Sequence, residues 1–128
     1  MAREILTSPK LYAPKFRYSP CVKTGPWYTV SGMIALDAAS GQLVSGGVYV
    51  ETRKILELVQ SALPDWGLTL ADMTSARIFT TRFDQFAEIN RAWEEVFAAQ
   101  TPPARTSVGV AALPLGAAVE IEFAFYKD

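Results

Sequence analysis

Histidine is absent from this 128-residue chain, and cysteine occurs once, at Cys21. Without histidine there is no Ser-His-Asp or Cys-His nucleophile system and no imidazole metal site. A single cysteine forms neither an internal disulfide nor a CxxC zinc site. Chemistry is left to carboxylates, hydroxyls, arginine, lysine and the backbone, and no metal or cofactor is expected. Charge is also scarce, at 20% of residues with a net charge of −1, against ~25% charged residues in an ordinary soluble domain. The summed positive field that nucleic acid or an anionic membrane requires is missing, so neither is an expected partner. The most apolar stretch, residues 108–119, is interrupted by Gly109, Pro114 and Gly116, and it is far shorter than the ~20 residues that span a bilayer. Residues 1–10 contain Arg3, Glu4 and Lys10 and lack the apolar core of a signal peptide, so a cytoplasmic protein is expected. The glycines form neither GxGxxG nor GxxxxGK[ST], which argues against a nucleotide phosphate cradle.

What is present suits a single domain over residues 1–128. Half of the residues are hydrophobic, and a chain of this size hides roughly two-thirds of its unfolded surface on folding. An apolar content this high beside so little charge predicts that another copy of the chain covers part of the surface.

Residues 3–6 read as a short strand, and Pro9, Pro14 and Pro20 then keep residues 9–19 in a loop. Two β-leaning segments, 21–23 and 27–31, flank Thr24-Gly25-Pro26 and predict a hairpin. Val48, Thr52, Ile55, Val59 and Ala62/Leu63 recur at helical spacing with charges between them, and Pro64 to Gly67 should end that helix. A strand over 73–81 follows. A second helix should begin near Asp84 as N-cap, burying Phe86, Ile89, Trp93, Val96 and Phe97, with Asn90 on the same stripe. Pro102-Pro103 ends it, and a strand over 104–110 follows. In the last strand Val119, Ile121, Phe123 and Phe125 alternate with Glu120, Glu122, Ala124 and Tyr126, placing two carboxylates on one face. The order βββαβαββ predicts an α+β fold, a single mixed sheet with two helices on one face. The uncovered sheet face again calls for a partner.

Three features have chemical potential. Arg105 follows Pro102-Pro103-Ala104 at a strand start, and its planar fork suits a carboxylate, although a surface arginine or an interface ion pair fits the same spacing. Glu120 and Glu122 stand where two carboxylates can position a water or shift each other's pKa, or simply form the polar side of a strand. Asn90, an amide within an apolar stripe, must find hydrogen-bond partners at a loop or in a cleft. Tyr18, in the proline-broken loop, and Ser31-Gly32 at a strand end are further pocket candidates.

The order of these residues resembles the RidA/YjgF family of small enamine/imine deaminases, also labelled L-PSP endoribonuclease-like. The resemblance covers nearly the whole chain. It rests on Tyr18-Ser19, Ser31-Gly32 with Ile34 and Asp37, Gly41-Gln42-Leu43-Val44, and Glu51-Thr52-Arg53. It continues through the run from Asp84 to Asn90, Pro103-Ala104-Arg105-Thr106-Ser107, Ala112-Leu113-Pro114 and Val119-Glu120-Ile121-Glu122. The resemblance implies a chorismate-mutase-like homotrimer with ligand clefts between subunits, and a 2-imino or 2-keto acid as the small-molecule partner. It implies that Arg105 clamps the substrate carboxylate and Glu120 orients the attacking water. Tyr18, Ser31, Asn90 and Ser107 would shape the cleft, with no cofactor and no metal. The implied reaction converts 2-aminoacrylate/2-iminopropanoate and 2-iminobutanoate to 2-keto acids and ammonia. Alternatives are a dicarboxylic enamine of aromatic ring-cleavage catabolism, an endoribonuclease activity, or a non-catalytic trimer that binds small acids. Ser107 stands where the best-studied branch has cysteine, Met33 replaces a common glutamine, and Phe16-Arg17 replaces Gly-Pro. Arg17 is therefore a second cation near the expected cleft.

Overall fold

The computed structural model describes residues 2–128. The strands are β1 (Glu4–Leu6), β2 (Cys21–Thr24), β3 (Trp27–Met33), β4 (Met73–Thr80), β5 (Ala104–Gly109) and β6 (Val119–Tyr126). Helix α1 (Val48–Ala62) connects β3 to β4, and α2 (Phe86–Val96) connects β4 to β5. All six strands form one sheet in the order β1-β2-β3-β6-β4-β5. It is mixed: β4 and β5 are parallel, and every other pairing is antiparallel. Parallel neighbours need a crossover connection, which α2 supplies. Among the described residues no helix is long and apolar enough to cross a membrane.

The chain's last strand, β6, lies inside the sheet between β3 and β4, which explains its strict alternation. Val119, Ile121, Phe123 and Phe125 are all buried on the helix side, each contributing on the order of 1.5–3 kcal/mol from removal of apolar surface. Ile55, Leu56 and Val59 of α1 and Ile89 and Trp93 of α2 complete that core. The α1 helix ends where Pro64 enters a short 3-10 turn and Gly67 takes the left-handed conformation at φ 71°. On the other sheet face Arg77 of β4 pairs with Glu122 of β6 at 3.3 Å, both substantially exposed.

One local expectation is corrected. Asp84 does not cap α2; its carboxylate accepts from Arg82 Nε at 3.1 Å and Nη2 at 2.9 Å, and the helix starts from a 3-10 turn over Phe83–Gln85. Glu51, on α1, is buried at 6% exposure. Its Oε1 accepts from the backbone N–H of Ala118 at 3.0 Å and of Val119 at 3.3 Å. The carboxylate thus anchors the start of β6 one residue before Glu120.

Candidate active site

The β4 register with its two neighbours decides which candidate residues share a face. Ile78 stands opposite Ser107 of β5 and Ile121 of β6, whereas Phe79 stands opposite Val108 and Glu120. Paired residues project from the same side of a sheet. Ile78 and Ile121 are buried beneath the helices, so Ser107, and Arg105 two residues before it, lie on the helix face. Glu120 lies on the open face. The candidates fall into two groups, one on each face, and a single chain does not bring them together.

The first group sits where α2 meets the edge strand β5. Arg105 Nη2 donates to Asn90 Oδ1 at 2.8 Å, which gives the amide on the apolar stripe its partner. The guanidinium carbon lies 5.4 Å from the Phe86 ring centre and 5.2 Å from that of Trp93. These two residues, read from sequence as core alone, also form an aromatic wall for the cation. Burial pulls the Arg105 pKa down, opposed by the charge of Glu94, but an arginine remains charged throughout the working pH range. The Ser107 hydroxyl is buried and has no hydrogen-bond partner, a deficit worth roughly 1–3 kcal/mol unless something outside the chain satisfies it.

The second group is built around a bulge in β3. Val30 pairs with Phe123 and Met33 with Ile121, so the β3 side has one extra residue between these pairs, which re-aims the backbone at Ser31-Gly32. Gly32 leaves room there for the carboxylate: a Cβ would lie 2.7 Å from Glu120 Oε2. Ser31 Oγ donates to the Ser19 carbonyl at 2.6 Å, pinning the proline-rich loop over the bulge so that Tyr18 lines the same cavity as Gly32 and Glu120. The hydroxyl of Ser31 is therefore a tie for the loop. Tyr12 lines that cavity too. Its hydroxyl accepts the Ile34 N–H at 3.1 Å, and burial is the main cause of its pKa being pushed up to about 12. Sequence reasoning missed Tyr12, whose only signal was an aromatic residue inside a proline-broken loop. Burial, reinforced by the charge of Glu122, raises the Glu120 pKa. Burial and the neighbouring Glu120 raise that of Tyr18. Glu122 itself is occupied with Arg77, so the two carboxylates are not equivalent.

Comparison with known proteins fits this arrangement to a family. Residues 9–126 match the family model described as endoribonuclease L-PSP. The chain belongs to the RidA/YjgF family. One relative, a RutC family protein of Pyrococcus abyssi, is 30% identical over 128 residues, covering 100% of both chains. A protein of Dermatophagoides farinae named 2-iminobutanoate/2-iminopropanoate deaminase is 32% identical, covering 94% of this chain and 93% of its own. The crystal structure of E. coli TdcF with bound serine superposes with a TM-score of 0.91 at 27% identity, over 98% of this chain and 99% of that one. The RidA/YjgF fold thus extends over essentially the whole molecule, including both groups of candidate residues.

Proposed function

We propose that this RidA/YjgF chain is a hydrolytic deaminase of reactive 2-enamine/2-imino acids, among them 2-iminopropanoate and 2-iminobutanoate, yielding 2-keto acids and ammonia. We further propose that its active site forms between neighbouring copies of a homotrimer. The observation that carries the reading is the division of the candidate residues. A carboxylate-recognising group (Arg105, Asn90, Ser107) and a water-handling group (Glu120 with Tyr18 and Gly32) occupy opposite faces of one sheet. In a closed ring of identical chains, the helix-side group of one copy can meet the open-face group of the next.

In this reading Arg105, backed by the Phe86 and Trp93 rings, holds the substrate carboxylate through its fork. The unpartnered Ser107 hydroxyl supplies a further polar contact, and Tyr18 closes the opposite wall. Glu120 accepts a proton from a water whose oxygen bonds to C2 while the C=N electron pair moves to nitrogen. That proton is delivered to nitrogen to give a carbinolamine. Glu120 then takes the remaining hydroxyl proton and passes it to the same nitrogen, the C–N bond breaks with its electron pair leaving on ammonia, and the freed O–H electron pair forms the carbonyl of the 2-keto acid. Each atom of the imine and water is accounted for, and the step needs only orientation and one carboxylate. The deaminase name of the D. farinae relative and the amino acid bound in the TdcF crystal favour a small amino-acid-derived ligand. A ribonuclease, the activity in the family description, fits poorly with a net charge of −1 and no histidine.

The test generates 2-iminopropanoate in situ with an amino-acid oxidase and traps it with semicarbazide. Wild-type protein is expected to suppress semicarbazone formation, and Glu120→Ala to abolish the suppression while leaving 2-keto acid binding in place. Keto-acid binding without any suppression by the wild type would make the protein a binding trimer and defeat the reading.

A further inference from the structure

Four of the chain's seven arginines, Arg53, Arg77, Arg82 and Arg91, have a carboxylate within 4.0 Å, and Arg105 donates to Asn90. Of the arginines among the described residues, only Arg3 and Arg17 make neither an ion pair nor a side-chain hydrogen bond, and both line one groove together with Tyr18, Ser19 and Ser31. Their placement has a structural cause. Arg3 immediately precedes β1, the edge strand next to β2, while Arg17 is on the loop that the Ser31 to Ser19 bond ties over the β3 bulge. Two like charges at one groove add nothing to folding stability; they repel, and the arrangement is favourable once an anion lies between them. Nor does Glu120 play that part: among the described residues it forms no ion pair with either arginine.

The groove adjoins the candidate site. Tyr18 and Phe16 line both it and the cavity holding Glu120. Tyr18 and the exposed Phe16 ring (63%) thus stand between Glu120 and the two arginines.

We infer that Arg17 and Arg3 form a second carboxylate subsite, and that the preferred substrates are 2-imino acids whose side chain ends in a carboxylate. The inference rests on the proposed deaminase reading, in which Arg105 takes the C1 carboxylate and Glu120 the water. Arg17 and Arg3 set specificity and take no part in bond making or breaking.

Two measurements test it, so that turnover and recognition are read separately. Binding of 2-oxoglutarate and of 2-oxobutanoate is measured by calorimetry, and hydrolysis is measured on the imines formed by oxidation of glutamate and of alanine. Variants are Arg17→Ala, Arg17→Lys and Arg3→Ala, with light scattering as the control for assembly. Wild type is expected to favour the dicarboxylic ligand in both measurements. Arg17→Ala should lose about 10- to 100-fold on the dicarboxylic imine and ketone while staying within about twofold on the monocarboxylic ones, and Arg17→Lys should recover part of the loss. Equal losses on both ligand classes, no preference in the wild type, or a smaller assembly for Arg17→Ala would overturn the subsite. The last of these would assign the arginines to contacts between copies. Hydrolysis of neither imine, with 2-oxoglutarate still preferred and that preference lost in Arg17→Ala, would remove the deaminase reading and leave the subsite standing.

Discussion

Replacing Arg105 with alanine removes the group on which substrate recognition depends, and its surroundings set the size of the effect. An exposed arginine-carboxylate pair is worth only ~0–1 kcal/mol. Arg105 is not in that regime. It is half-buried, walled by two aromatic rings at 5.4 and 5.2 Å, and held by Asn90 at 2.8 Å. Truncating one partner of a desolvated, hydrogen-bonded charge pair costs about 2–5 kcal/mol, or about 30- to 4000-fold. Partial exposure of Arg105 puts the expected loss in kcat/KM in the lower half of that span, about 30- to 300-fold. Arg105→Lys keeps the charge without the planar fork, and about a tenfold loss is expected. The fold should survive both changes, because the main unmet group left behind is the Asn90 amide oxygen, worth ~1 kcal/mol. The assay is semicarbazide competition on 2-iminopropanoate, with thermal melts as the folding control. A folded Arg105→Ala protein within threefold of wild type would refute the carboxylate clamp.

Other perturbations separate stability from chemistry. Gly32→Ala places its Cβ 2.7 Å from Glu120 Oε2; because the carboxylate end can swing away, the melting temperature should change little while hydrolysis falls at least about tenfold through displacement of the water-orienting group. Burial raises the Glu120 pKa, so kcat/KM should have an acid limb above the ordinary glutamate range, rising with pH as the carboxylate ionises and flattening to the residual rate in Glu120→Gln. Burial likewise raises the Glu51 pKa in the folded state, its two backbone hydrogen bonds opposing the shift in part. A raised folded-state pKa contributes stability that is full below the unfolded value near ~4.3 and lost as pH rises through the folded one. The difference in melting temperature between wild type and Glu51→Gln should therefore shift in the wild type's favour as pH falls from 7 towards that value, and a pH-independent difference would count against the assignment.

Most of the fold was legible because its signals are local. The eight-residue alternation of β6, the helical spacing from Val48 to Ala62 and the proline breaks at Pro9, Pro14, Pro20 and Pro102-Pro103 each correspond to an observed element or loop. The Asp84 capping expectation failed because Arg82, two residues away, competes for the same carboxylate. The buried anchoring role of Glu51 has no local signal, because its partners, Ala118 and Val119, are more than sixty residues away. The relation between Arg105 and Glu120 was the least legible. Alternation within a strand gives faces relative to that strand only, and assigning two strands to a common frame needs their register with the β4 strand between them. The edge strand β5, with Arg105 and Ser107 facing the helices, has no apolar alternation from which its inner side could be read. The site residues were thus identifiable by type, whereas their separation onto two faces of one chain was not.

That separation permits a direct test of the central claim, a deaminase site shared between copies. Arg105→Ala and Glu120→Ala proteins, each expected to retain at most about a thirtieth of wild-type activity alone, are unfolded together, refolded as a mixture and assayed for imine hydrolysis. If each site draws Arg105 from one copy and Glu120 from the next, random assembly at equal proportions should restore about a quarter of wild-type activity, whatever the ring size. Mixtures that assemble like the wild type but remain as inactive as the separate variants would contradict a site built across the interface.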